Sequence, residues 1–125
     1  MHRFTDEEFE AIVEEAIESI PRMFLDELDN VAFFIEDEPD ESLAQEGEVF
    51  GIYEGVSLYD RGDGYGGIDE LPDSITIFKG PHERLEMPRE RIVEEVRKTV
   101  VHEVGHYFGM DEAQIEAMGY GEIQN

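Results

Sequence analysis

The stretch Thr99-Val-Val-His-Glu-Val-Gly-His-Tyr-Phe-Gly-Met-Asp-Glu112 decides how this chain is read. At about 100° per residue, Ile92, Val93, Val96, Val100, Val104 and Tyr107 fall within an arc of about 120°, the apolar face of a helix. His102 and His106 stand one turn apart on the neighbouring stripe, which they share with Glu95 and Thr99. Histidines at i and i+4 put two imidazole nitrogens within reach of one metal ion. Glu103 projects from the next position, where its carboxylate can take a proton from a metal-polarised water without being a ligand. The expected ion is a single zinc.

A tetrahedral catalytic site needs a third protein ligand and leaves the fourth position to water. Beyond His106, Gly109 can take a left-handed turn that swings the chain back toward the histidines, and Asp111 and Glu112 follow. Asp111 has the short side chain of a helix N-cap and reaches the N–H of Gln114. That frees Glu112, at the first helical position, to bind metal, so Glu112 is preferred over Asp111. His82, Glu116 and Glu122 are lesser alternatives.

Working outward, Pro88 opens this helix, which runs to about Tyr107 with Gly109 as the stop signal. A last short helix covers Glu112 to Met118. At the other end, Thr5-Asp-Glu-Glu8 reads as a capping box, followed by Phe9, Ile12, Val13, Ala16, Ile17 and Ile20 at helical spacing. Pro21 ends that helix or starts a short second one to about Leu28. Asn30 to Glu36 reads as a buried strand, Val49 to Tyr53 as a second, and Ser74 to Phe78, cleanly alternating, as a third and half-buried one. Glu36 to Glu48 reads as a solvated acidic loop, and Asp60 to Asp73, with four glycines, as a flexible one. The expectation is one α+β domain over residues 1–125.

Composition narrows the function classes. The chain has 125 residues, with 33 Asp+Glu against 9 Lys+Arg and a net charge of −24. A surface so acidic argues against nucleic acid and anionic membranes, whose phosphates need a basic footprint. Without cysteine there is no disulfide, thiol nucleophile or thiolate metal site. The longest apolar run, Val31 to Ile35, falls far short of the roughly 20 residues of a spanning helix. The first residues turn acidic at once and carry no apolar signal region, so the cytoplasm is the expected location, with a monomer as the expected state.

The spacing His102-Glu-x-x-His106-x-x-Gly109-x-x-Glu112 resembles the zincin motif in its metzincin-type form, with an acidic third ligand where most metzincins carry His. More closely, the chain resembles the small bacterial zincin-like metallopeptidases. Gly51-Ile-Tyr-Glu-Gly-Val56, Leu71-Pro-Asp-Ser-Ile-Thr-Ile-Phe-Lys-Gly-Pro81 and Thr99 to Glu112 carry the likeness. The resemblance implies a minimal zincin fold: a small twisted mixed sheet packed on an N-terminal backing helix and an active-site helix. It implies His102, His106 and Glu112 as zinc ligands, Glu103 as general base, and a peptide or protein substrate. Extended substrate would pair with an edge strand, for which Ser74 to Phe78 is the expected candidate. The acidic surface favours basic or neutral peptides.

Other features are less telling. Metzincins carry a Met-turn well after the third ligand, whereas Met118 follows Glu112 by only six residues and reads as core. An oxyanion donor would have to come from the loops, for instance Tyr65, Tyr107 or Tyr120, none favoured by spacing. Gly62-x-Gly64-x-Gly66-Gly67 lacks the Lys of a phosphate loop, and Asp60, Asp63, Asp69 and Asp73 lack calcium-loop offsets. The alternatives to a zinc peptidase are a zinc-binding regulatory or partner-binding module without proteolytic activity, and an acidic interaction protein with an incidental histidine pair.

Overall fold

The computed structural model describes residues 3–28, 30–45, 47–55 and 73–117. Met118, Tyr65, Tyr120, Glu122, His2 and the glycine-rich segment 60–72 lie outside the described residues.

The N-terminal helix α1, Asp6–Glu18, starts as its sequence demands. Thr5 Oγ1 accepts from the Glu8 N–H at 3.0 Å, and the Glu8 carboxylate accepts from the Thr5 N–H at 2.9 Å. Asp6, Glu7 and Glu8 sit where the helix dipole favours negative charge. Phe9, Val13 and Ala16 are buried along its inner stripe. Pro21 then caps a single turn, α2, Arg22–Leu25. This turn is shorter than the sequence suggested, because the next bonds, Glu27 N–H to Phe24 and Leu28 N–H to Leu25, have tightened to i→i+3.

Among the described residues three strands form one mixed sheet: β1 (Val31–Glu36), β2 (Gly51–Glu54) and β3 (Asp73–Phe78), in the order β1-β3-β2. β1 runs parallel to β3, while β2 is antiparallel to it with Tyr53 opposite Ile75. The expectation that Ser74 to Phe78 is an edge strand is therefore corrected: β3 is central and paired on both sides. Its Ser-Ile-Thr-Ile alternation suggested one solvated face. Thr76 is nevertheless buried, standing between its register partners Phe34 and Ile52.

A short helix absent from the sequence reading, α3 (Lys79–Glu83), follows β3 directly. It is held by long-range polar bonds: Glu83 accepts from the Phe4 N–H at 2.8 Å, and Lys79 Nζ reaches Asp6 at 2.8 Å. Arg84, just after it, donates to both Glu38 and Glu48. The acidic loop Glu36 to Glu48 is thus clamped by an arginine, and is more than a solvated surface.

The long helix α4, Arg89–Tyr107, packs on α1 and on the sheet, and the closing helix α5, Glu112–Ala117, packs back on α4. Ile92, Val96, Val100, Val104 and Tyr107 are buried, as the 3.6 period requires. Val93 is only half-buried and Val101 is buried instead. A second apolar neighbourhood explains this: Ile20, Phe24, Phe108, Met110 and Ile115 gather around Val101. No helix among the described residues is long and apolar enough to cross a membrane.

Candidate functional site

The histidine stripe of α4 faces β2. Both imidazoles are half-buried, and their ring centroids lie 5.3 Å apart at an interplanar angle of 72°. Glu103 stands at the junction of two clefts that also share Gly51. One cleft, of about 550 Å³, is lined by Glu103 and His106 from α4, Ile52 and Tyr53 from β2, and Met110 beyond the helix. The other, of about 430 Å³, is lined by His102, Thr99, Glu95 and Lys98 from α4 and by Glu48, Val49 and Phe50. The two clefts therefore flank Glu103 along β2.

Gly51 allows this closeness. A Cβ there would meet Thr99 Cγ2 at 2.8 Å, the Thr76 carbonyl at 3.1 Å and Glu103 Cγ at 3.3 Å. Two residues along the strand, on the same face, Tyr53 packs its ring edge-on against buried Tyr107 and donates its hydroxyl to Asp73 at 2.7 Å. Tyr107, a candidate oxyanion donor by residue type, is ruled out by its complete burial. Gly51 and Tyr53 were not among the expected site residues, although their i, i+2 spacing in an apolar strand already puts both on one face.

Beyond the second histidine the chain turns as predicted. Gly109 takes φ 82°, and the Met110 N–H returns to the Gly105 carbonyl at 3.0 Å. Asp111 caps α5: its Oδ1 accepts from the Gln114 N–H at 2.8 Å, while Gln114 accepts from the Asp111 N–H at 2.8 Å. The carboxylate competing with Glu112 is thus engaged in a capping box. Glu112 is the first residue of α5, and its side chain lies outside the described residues. Glu116 is also on α5, and its side chain likewise lies outside the described residues. Gly105 lets α5 approach, since a Cβ there would meet Ile115 Cδ1 at 2.5 Å.

His82 is removed from the ligand alternatives by its surroundings. Its ring is fully buried, with Nδ1 2.7 Å from the Phe78 carbonyl and Nε2 2.9 Å from Thr99 Oγ1. A carbonyl only accepts, so Nδ1 carries the hydrogen and the neutral ring accepts at Nε2 from the Thr99 hydroxyl. That hydroxyl also lies 3.0 Å from the Glu95 carbonyl, so its one hydrogen serves two acceptors. Burial lowers the His82 pKa, opposed by the Phe78 carbonyl and the Glu95 charge.

The histidine pair fits a shared ion. Two imidazoles bound at about 2.0–2.1 Å to one tetrahedral zinc have ring centroids roughly 5 Å apart, close to the 5.3 Å seen here. Among the described residues no group of three His, Asp or Glu side chains is close enough to hold a metal, so a third donor would come from outside that set.

The sequence pattern of one family, described as zincin-like metallopeptidases, matches residues 28–121. No curated protein matches the chain. Among solved structures, a conserved hypothetical protein from Thermo thermophilus is 24% identical and superimposes with a TM-score of 0.58. The match covers 94% of this chain and 100% of that one, and at this identity it shows a shared fold.

Proposed function

The chain belongs to the zincin-like metallopeptidases, and from that membership we propose that it is a zinc-dependent hydrolase of peptide bonds. The fold is α+β and zincin-like, with α1 as the backing helix and α4 as the helix that carries the histidines. The observation that carries the proposal is the pair His102 and His106 on one face of α4, with Glu103 beside them at the junction of two clefts.

In this reading His102 and His106 hold one zinc ion, and Glu112 is the third ligand because Asp111 is committed to its cap. A bound zinc ion supplies Lewis acidity for water and for a carbonyl. Glu103 takes the proton of the attacking water on its carboxylate and passes it to the leaving amine, the role of a general acid–base. Among the described residues β2 pairs only with β3, and its other edge would offer main-chain donors and acceptors to an extended peptide, which the clefts receive on either side of Glu103. The net charge of −24 repels anionic peptides, so basic or neutral ones are the preferred substrates.

The test combines metal analysis with a peptide library. The purified protein should hold one zinc, and His106→Ala should lose it. Glu103→Gln should keep the zinc while cleavage falls by about 10²–10⁴-fold, the usual share of a general base. Metal content that is low and unchanged in His106→Ala would remove the metal reading. Zinc without cleavage of any peptide would leave a binding module in place of an enzyme.

A further inference from the structure

The opposite edge of the sheet is built unlike β2. β1 pairs with β3 on one side and with no described strand on the other. Sheet edges are ordinarily protected by lysine, proline, a bulge or shortness. β1 has none of these: its register with β3 is unbroken over six residues, and its only charge is Glu36, the last of them. Phe34, in the middle, is 51% exposed. A groove of about 490 Å³ runs beside this edge, floored by Phe33 and Ile35 of β1 and by Val13 and Ile17 of α1. Glu10 and Glu14, one turn apart on α1, form its acidic rim, and neither makes an ion pair with a described residue.

We propose that the β1 edge and this groove form a docking site for an extended, cationic segment of another protein, added to the sheet as a further strand. The main chain of β1 supplies the pairing, the groove takes the apolar side chains of one face, and Glu10 and Glu14 receive flanking Lys or Arg. Charge decides among the occupants. A second copy would bring another −24 against this surface, and an anionic segment would face the same repulsion. The site lies at the edge of the sheet remote from β2, so the proposal stands independently of the peptidase reading.

The probe is a fluorescein-labelled, end-capped peptide of alternating Lys and Val, seven residues long, with its Glu/Val counterpart as control. Titrated against the full chain at low salt, the Lys/Val peptide should bind saturably and shift the amide resonances of residues 31–36. Glu10→Lys with Glu14→Lys should weaken it about tenfold or more, and Phe34→Ala should weaken it as well. All lie on exposed positions, and circular dichroism confirms that each variant is folded. The charge-matched pair Asp40→Lys with Glu41→Lys should leave affinity unchanged. Three outcomes overturn the proposal: no saturable binding; equal losses in the two charge-matched pairs with β1 resonances unmoved, the mark of diffuse attraction; or a dimer in light scattering that Phe34→Ala disperses, which assigns the edge to a second copy.

Discussion

Gly51 and Glu103 face each other across the interface of β2 and α4, so closely that a Cβ on the glycine would lie 3.3 Å from the Cγ of the glutamate. The same Cβ would meet Thr99 at 2.8 Å. The strand proposed to carry substrate is thus packed closely against the stem of the glutamate proposed to take the proton. Gly51→Ala should cost about 1–3 kcal/mol, the usual penalty of overpacking. It should also lower cleavage further than the loss of folded protein explains. Denaturant midpoints measured alongside kcat on the same samples separate the two effects.

Asp111 and Glu112 should part company under mutation. Asp111→Ala removes the acceptor of the Gln114 N–H and should cost about 0.5–2 kcal/mol of stability, with zinc retained. Glu112→Ala should leave metal-free stability near the parent value and weaken zinc binding. Competition with a chromophoric chelator, beside thermal melts of the metal-free proteins, reads both. Zinc affinity that falls in Asp111→Ala and holds in Glu112→Ala would reverse the assignment.

Gly105 and Ile115 should be strongly coupled. Gly105→Ala gains about 1 kcal/mol of helix propensity, but its new methyl would stand 2.5 Å from Ile115 Cδ1. The net effect should be destabilising, because α5 must shift. Ile115→Ala alone should cost about 2–5 kcal/mol as a buried truncation. The double variant should be less destabilised than the sum of the singles, and a double-mutant cycle in urea measures the difference.

The Arg84 clamp should make stability sensitive to acid. Hydrogen bonds from Arg84 hold the carboxyls of Glu38 and Glu48 below their ordinary pKa. A carboxyl depressed on folding stabilises the native state above its unfolded pKa, and that contribution is lost as pH falls through the folded value. Stability should therefore decline below about pH 4.5, and Arg84→Met should flatten this part of the curve. Urea midpoints of both proteins, taken in half-unit pH steps, test it.

His82 adds a second window at higher pH. Burial depresses its folded pKa below the ordinary value of 6.5, so the unfolded chain takes up a proton that the native ring resists. Its contribution is fully present above about pH 6.5 and is lost as pH falls toward the folded value. NMR titration should find the ring Nδ1-protonated in its neutral form, with a midpoint below the ordinary 6.5. An imidazolium persisting above pH 6.5 would contradict the acceptor role of Nε2 toward the Thr99 hydroxyl.

What could be read from the sequence is what forms between near neighbours. The capping boxes at Thr5 and Asp111, the turn at Gly109 and the one-turn spacing of His102 and His106 depend on bonds and periodicities within four or five residues, and each lies where the sequence put it. The fold class followed because alternating and helical apolar patterns are local signals. Strand order did not follow: the Ser74 to Phe78 pattern suits an edge or a central strand, and only pairing with β1 and β2 made it central. Helix α3 lacked a periodic signal and is held by partners more than 70 residues away in Phe4 and Asp6. The Arg84 clamp likewise joins residues 36 and 46 positions apart. Tertiary structure alone brought Gly51 and Tyr53 beside Glu103, because close approach of a strand to a helix depends on which side chains are absent at the contact. A one-dimensional pattern records a missing side chain without saying what it makes room for.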